Sequence, residues 1–165
     1  MKAGASINFA APPTWHQTCT HSSMSDRFLR SCPACGATNR IPPAHLADRG
    51  RCGACKQAIP PLDEPLDANP ETFDAIVAAV KVPLLVDFWA SWCGPCRAAA
   101  PEVSAVAREM AGHAVVLKVD TERYPEIAAR YNVQSIPNFV VLRNGKIAKQ
   151  SAGVAPRAEM KRWLG

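Results

Sequence analysis

The chain has 165 residues, 48% of them apolar and 20% charged, and no run approaches the ~18 consecutive apolar residues of a membrane span, so collagenous, wholly disordered and membrane-spanning proteins are excluded. Its net charge of +5 sits entirely in residues 1–62, where seven Lys and Arg (Lys2, Arg27, Arg30, Arg40, Arg49, Arg51, Lys56) face only Asp26 and Asp48; residues 63–165 balance 12 basic with 12 acidic side chains. The length predicts one domain or a small domain with an appendage, and six of the seven cysteines form three Cys-x-x-Cys pairs on the two sides of that charge boundary.

Residues 1–24 carry Lys2 and a few apolar side chains, but Asn8, Pro12 and Pro13 interrupt them before they reach the length of a secretory signal. The expected location is therefore cytoplasmic. Reduced thiols there bind metal or carry redox chemistry rather than form permanent cross-links. The segment is expected to be a disordered leader holding the unpaired Cys19, with His16 and His21 nearby. Met24 is an alternative start that would remove both leader and Cys19.

Residues 25–59 offer only Phe28, Leu29, Ile41, Leu46 and Ile59 as large apolar side chains, too few to offset the ordering entropy of the segment without a staple. Cys32-Pro-Ala-Cys35-Gly36 and Cys52-Gly53-Ala-Cys55 supply one. Two residues between thiolates let a tight turn present both sulfurs to one ion, and Gly36 and Gly53 permit the backbone such turns need. Four thiolates fill the tetrahedral shell of one Zn²⁺ and leave no position for a reactive water, so the expected site is structural. Iron in a rubredoxin-like site shares the ligand pattern; two disulfides are disfavoured by a reducing cytosol, and four free thiols by the missing core. Arg40, Arg49, Arg51 and Lys56 suit a nucleic-acid ribbon by charge, but almost no aromatic side chains accompany them to stack on bases, so solvated surface charge is the better reading.

Residues 60–68 begin the proline-rich stretch PPLDEPLDANP and are expected to be a semi-rigid linker. A domain is expected over residues 69–165. Asn69 suits an N-cap with Pro70 at the first helical position, and Phe73, Ile76, Val77 and Val80 form one apolar helical face. Leu84 to Ala90 is a near-continuous apolar run, the pattern of a strand covered on both sides. Arg97 to Met110 repeats apolar residues at helical spacing, with Pro101 expected to kink it. A second buried strand over 114–119, a short helix over 122–131 with Pro125 in its first turn, a hairpin around Asn144-Gly145 and a last helix over about 156–164 complete the pattern. The order predicts an α/β sheet of mixed direction with helices on both faces, parallel in its first half.

Trp92-Cys93-Gly94-Pro95-Cys96 follows the buried strand and opens the helix. A sulfur at a helix N-terminus meets unpaired N–H groups and the positive end of the dipole, which favour thiolate. Cys93 is placed to be the exposed nucleophile and Cys96, one turn in, the thiol that resolves its mixed disulfide.

Strand-DFWA-x-WCGPC-helix, then Lys118-Val-Asp, then a hairpin strand entered through Ser135-Ile136-Pro137, resembles the thioredoxin family over about residues 68–165. With the four-cysteine segment in front, the whole chain resembles its branch with an N-terminal zinc domain. The resemblance implies a thioredoxin fold, a central mixed sheet with helices on both faces, preceded by a small zinc-ribbon-like domain. It implies a redox-active disulfide between Cys93 and Cys96, Asp87 as the buried acid behind the dithiol, and Lys118 as that acid's partner. It also implies a cis-proline at Pro137 and a substrate groove formed with Trp92, Gly94, Pro95, Ile136 and Gly153. Asn138 departs from the threonine that usually follows the cis-proline.

The implied activity is protein-disulfide reduction in cytosolic redox homeostasis and oxidative-stress defence. Electrons would come from NADPH through a separate thioredoxin reductase, without a tightly bound organic cofactor. The expected partners are that reductase and disulfide-containing client proteins, not nucleic acid or membrane, and the expected state is a monomer. An oxidase or isomerase is disfavoured by the Gly-Pro dipeptide and the missing export signal. The rival from another class is a zinc-dependent redox sensor or binding module that uses the fold as a platform.

Overall fold

The computed structural model describes residues 28–165; the expected leader, with Cys19, His16, His21 and Met24, lies outside the described residues. The cysteine-rich segment folds into two small hairpins, β1 (Leu29–Ser31) against β2 (Thr38–Arg40) and β3 (Gly50–Arg51) against β4 (Ala58–Ile59), joined through a single 3-10 turn over Pro43–His45. Each hairpin loop is a Cys-x-x-Cys knuckle with the same bonding: Gly36 N–H donates to Cys32 O (2.9 Å) and Lys56 N–H to Cys52 O (3.0 Å). The backbone turns left-handed after each second cysteine, at Gly36 (φ 73°) and at Lys56 (φ 64°). The expectation that Gly53 would serve the second turn is thus corrected to Lys56, whose ammonium donates back to Gly53 O at 2.6 Å.

The larger part is a five-stranded sheet in the order β5-β7-β6-β8-β9. Strands β5 (Leu66–Asp67), β7 (Val115–Asp120) and β6 (Leu84–Trp89) run parallel, whereas β8 (Asn138–Arg143) is antiparallel to β6 and to β9 (Lys146–Ala152). Alternation along the strands builds two cores. Val86, Phe88, Leu117, Val119, Val140 and Leu142 face α1 (Pro70–Ala79) and α3 (Pro125–Arg130), meeting Phe73, Ile76 and Ile127. Leu85, Val116, Phe139 and Val141 face α2 (Gly94–Glu109) and α4 (Arg157–Leu164), meeting Val103, Val106 and Met160. The parallel first half and the helices on both faces match the expectation.

Local signals act where they were expected. Asn69 Oδ1 accepts the Thr72 N–H at 2.9 Å as the N-cap of α1. Asn144 (φ 52°) and Gly145 (φ 73°) both turn left-handed at the hairpin, as a primed turn requires. Helix α2 runs through Pro101 as one helix. It begins at Gly94 with Cys93 as its cap, so the Cys93-Gly94-Pro95-Cys96 segment opens it.

The proline-rich stretch expected to be a linker is only partly one. Leu66–Asp67 pairs with Leu117–Lys118 as an edge strand, and Leu62 and Ala68 are buried. Two residues are too short to show alternation, and an edge strand tolerates the flanking prolines. Nor does the ribbon stand apart. Phe28, Leu46 and Leu62 belong to the same buried cluster as Phe73, Ile76 and Val80. Leu62 N–H donates to Leu46 O (2.8 Å), and Arg30 donates to Pro60 O (2.5 Å) and lies 3.7 Å from Asp63. The ribbon's scarce large side chains are used to dock it, leaving Cys32, Cys52 and Ile59 as its own small core.

Candidate active site and metal centre

Cys93 and Cys96 are joined by a disulfide with their Cα atoms 5.3 Å apart. The buried strand β6 delivers the chain to this point, and Cys93 caps α2: its sulfur accepts the Cys96 N–H at 3.1 Å. A backbone donor therefore sits where negative charge on sulfur 93 is stabilised. Both cysteines are buried, Cys93 at 3% exposure and Cys96 at 4%, so the expected exposed nucleophile is not exposed in this oxidised state. What separates them is their place on the helix, Cys93 at the cap and Cys96 inside the first turn. Around them Trp92 (66% exposed), Gly94 and Pro95 face solvent, while Ala90 is buried beside them and the half-buried Trp89 and Ile136 pack against the same cluster.

Asp87 lies in the middle of β6, 1% exposed, and its Oδ1 has no hydrogen-bond partner. Burial pushes its carboxyl up to about 7, against a smaller opposing pull from Lys118. Lys118 is Asp87's register partner on β7, but its ammonium rests 4.3 Å from the centroid of the Trp89 ring. The structure thus brings Lys118 beside the acid along the ladder, while the cation finds an aromatic face.

Ile136-Pro137 is a cis peptide bond, as the resemblance implied. Pro137 O accepts the Gly153 N–H at 2.8 Å, which holds the loop before β8 against the end of β9. A cleft of ≈ 420 Å³ lies against this loop, lined by Trp92, Thr121, Ala128, Val133, Ser135 and Ile136. Of the groove residues expected from sequence, Trp92 and Ile136 line this cleft; Gly94, Pro95, Pro137 and Gly153 do not, although Gly153 is bonded to Pro137 and Ile136 packs against the dithiol.

In the ribbon the sulfurs of Cys32, Cys35, Cys52 and Cys55 all lie within 4.8 Å of one another. Cys32 Sγ is 3.6 Å from Cys55 Sγ, and Cys35 Sγ is 3.7 Å from Cys52 Sγ. A tetrahedral zinc with bonds of ~2.3 Å puts its sulfurs about 3.8 Å apart, so the donor set fits that ion. The four sulfurs also shift one another's protonation. The Cys55 N–H holds the Cys52 thiol down at about 6. The Gln57 N–H favours a Cys55 thiolate, but the neighbouring sulfurs and burial outweigh it and push that thiol to about 12. Four thiolates cannot be this close without a cation, which is the charge a divalent metal supplies.

Asn39 is a residue that sequence reasoning missed. Its Nδ2 donates to Ala37 O (2.8 Å) and Cys52 Sγ (3.5 Å), and its Oδ1 accepts the Gly53 N–H (2.8 Å), so one side chain on β2 bridges both knuckles. The local signal was slight, a polar residue four places after a cysteine, because the contact forms only when the hairpins meet.

Comparison with known proteins agrees with this geometry. The thioredoxin family model matches residues 64–165, and the model described as thioredoxin 2, N-terminal, a zinc ribbon, matches residues 31–57. Thioredoxin C-3 of Corynebacterium nephridii is 38% identical over 133 residues, covering 81% of this chain and 90% of that protein. Thioredoxin 1 of Chlorobaculum tepidum is 37% identical over 91 residues, covering 55% and 90%. Among solved structures, chloroplastic thioredoxin z superposes with a TM-score of 0.58 at 32% identity, covering 62% of this chain and 92% of that one. A mutant thioredoxin from Halobacterium salinarum gives 0.58 at 28% identity, covering 62% and 88%. With a dithiol at the head of α2, a cis-proline loop beside it and a four-cysteine ribbon in front, this chain belongs to the thioredoxin family of protein-disulfide oxidoreductases.

Proposed function

We propose that this chain is a cytoplasmic reductase of protein disulfides, serving redox homeostasis and oxidative-stress defence, with Cys93 and Cys96 as its working pair. The observation that carries the reading is the Cys93–Cys96 disulfide capping α2 beside the cis Ile136-Pro137 bond. In the reduced protein the Cys93 thiolate attacks one sulfur of a client disulfide, whose S–S bond breaks and releases one client thiolate. Cys96 then passes its proton to Asp87 and attacks the Cys93 sulfur, releasing the second client thiolate. The client gains two electrons; of its two thiolates one takes the proton that Asp87 gives back and the other takes a proton from solvent, and the dithiol becomes the disulfide. A carboxyl held near neutrality by burial suits that proton transfer. Thioredoxin reductase, drawing on NADPH, would restore the dithiol. In the ribbon, Cys32, Cys35, Cys52 and Cys55 would hold one Zn²⁺, which supplies a structural cross-link.

The test is reduction of insulin disulfides, followed by turbidity, with dithiothreitol or with NADPH and a thioredoxin reductase. The protein is expected to accelerate the reaction, and no acceleration under either condition overturns the reading.

A second reading, a zinc-dependent redox sensor, is favoured by the shared core of Phe28, Leu46 and Leu62 with α1. Loss of metal from the knuckles would then be felt in the redox domain. Zinc release rising with peroxide while reductase activity stays constant would remove it.

A further inference from the structure

Gln150 lies on the edge strand β9, opposite Val140 in the ladder and diagonal to Asn138 on the same face. Its side-chain Nε2 makes two contacts, to the backbone oxygen of Tyr131 at 3.0 Å and to Oδ1 of Asn138 at 3.2 Å. The Tyr131 carbonyl can only accept, so the nitrogen end of the amide must face it, and the two hydrogens of that NH₂ suffice for the two acceptors.

Those acceptors mark the two ends of one loop. Tyr131 is the C-cap of α3, which closes with Asn132 left-handed (φ 51°), Asn132 N–H bonded to Ala129 O (3.1 Å) and Val133 N–H to Ala128 O (3.0 Å). Its carbonyl is one of those a helix end leaves without an intrahelical donor. Asn138, 4% exposed, is the first residue of β8. Between them run residues 132–137, with the cis Ile136-Pro137 bond and the wall of the cleft that faces Trp92.

We infer that Gln150 is a positioning residue for substrate binding: its amide staples both ends of the 132–137 loop and holds the groove wall in the shape a client segment meets. The inference rests on the reductase reading. Asn138 stands where the family's threonine usually does, and its longer side chain carries the carbonyl that Gln150 reaches. A loop ordered before binding spares the client the cost of ordering it, so the staple contributes to affinity. It touches neither sulfur nor Asp87, so it leaves the chemical step alone.

The experiment compares the full-length parent with Gln150→Leu and Gln150→Lys in NADPH-coupled insulin reduction at varied insulin. Gln150→Leu removes the N–H donors at an exposed strand position where folding is retained. It is expected to raise KM for insulin by ~3- to 10-fold, the worth of about one hydrogen bond, with kcat and the equilibrium with glutathione unchanged. Amide hydrogen exchange at Val133 to Ile136 is expected to quicken in the same variant. Gln150→Lys keeps N–H donors and is expected to restore most of the KM. Unchanged KM and unchanged exchange in Gln150→Leu, equal loss in both variants, or a change in kcat or in the glutathione equilibrium would each overturn the staple. If the parent itself does not reduce insulin, the reductase reading fails, and the exchange comparison still decides whether Gln150 orders the loop.

Discussion

Lys118 stands directly across the β6–β7 ladder from Asp87, yet its ammonium lies over the Trp89 indole, 4.3 Å from the ring centroid, and Asp87 Oδ1 is left without a hydrogen bond. The carboxyl therefore feels the lysine as a nearby charge, not as a bonded partner, and burial dominates it. A buried acid in this condition costs stability whenever it is ionised.

That cost fixes a pH dependence. The Asp87 carboxyl is raised from 3.8 to about 7 on folding, so the folded chain binds this proton more tightly than the unfolded one. Ionisation thus penalises the fold progressively from about pH 4, and the penalty levels off above about pH 7. A shift of this size corresponds to about 4 kcal/mol at the plateau. Asp87→Asn should therefore stabilise the protein by ~2–4 kcal/mol in urea unfolding at pH 8 and by almost nothing at pH 4. The same variant should slow insulin reduction and flatten its rise between pH 6 and pH 8. Equal stabilisation at both pH values would show that the carboxyl is not raised.

The asymmetry of the dithiol should appear in trapping. Cys96→Ser leaves a nucleophile at the helix cap but nothing to resolve its mixed disulfide, so covalent complexes with clients should accumulate on a non-reducing gel. Cys93→Ser should yield no complexes and no turnover. Complexes formed equally well by Cys93→Ser would reverse the assignment, which matters because the two sulfurs are almost equally buried.

Asn39 offers a test of the metal centre. It bonds the Cys52 sulfur and bridges the two knuckles, so Asn39→Ala should weaken zinc binding by ~10-fold while leaving all four ligands in place. Competition with a chromogenic chelator measures it, after elemental analysis has shown one zinc per chain. An affinity equal to the parent's would mean that the bridge does not hold the ligands.

Leu46 tests whether ribbon and sheet unfold together. Its side chain is 3% exposed in the cluster that contains Phe73 and Ile76. Leu46→Ala should cost ~2–5 kcal/mol and lower one common unfolding transition. Chelating the metal should shift that same transition. Two separate transitions, with only the smaller one moved, would make the ribbon an independent unit.

Whatever depends on neighbours along the chain was legible in the residues alone. Asn69-Pro70 announced the start of α1, Asn144-Gly145 the hairpin, and the apolar run from Leu84 the central strand, because caps, turns and periodicity are local physics. Cys-x-x-Cys spacing likewise told which sulfurs could share an ion and which could pair at a helix head. Features that need partners distant in the chain were settled by the fold. Leu66–Asp67 became an edge strand only because β7 offered it a ladder, and Lys56 took the left-handed turn position expected of Gly53. Phe28 and Leu46, read as a meagre core for the ribbon, found a larger one under α1. Asn39 shows only a slight local signal of its role and Gln150 none, since a side-chain hydrogen bond of 3 Å is specified by register and packing rather than by composition. The placement of the Lys118 cation on Trp89 was settled in the same way, by which face of the folded sheet offered the ammonium an aromatic ring.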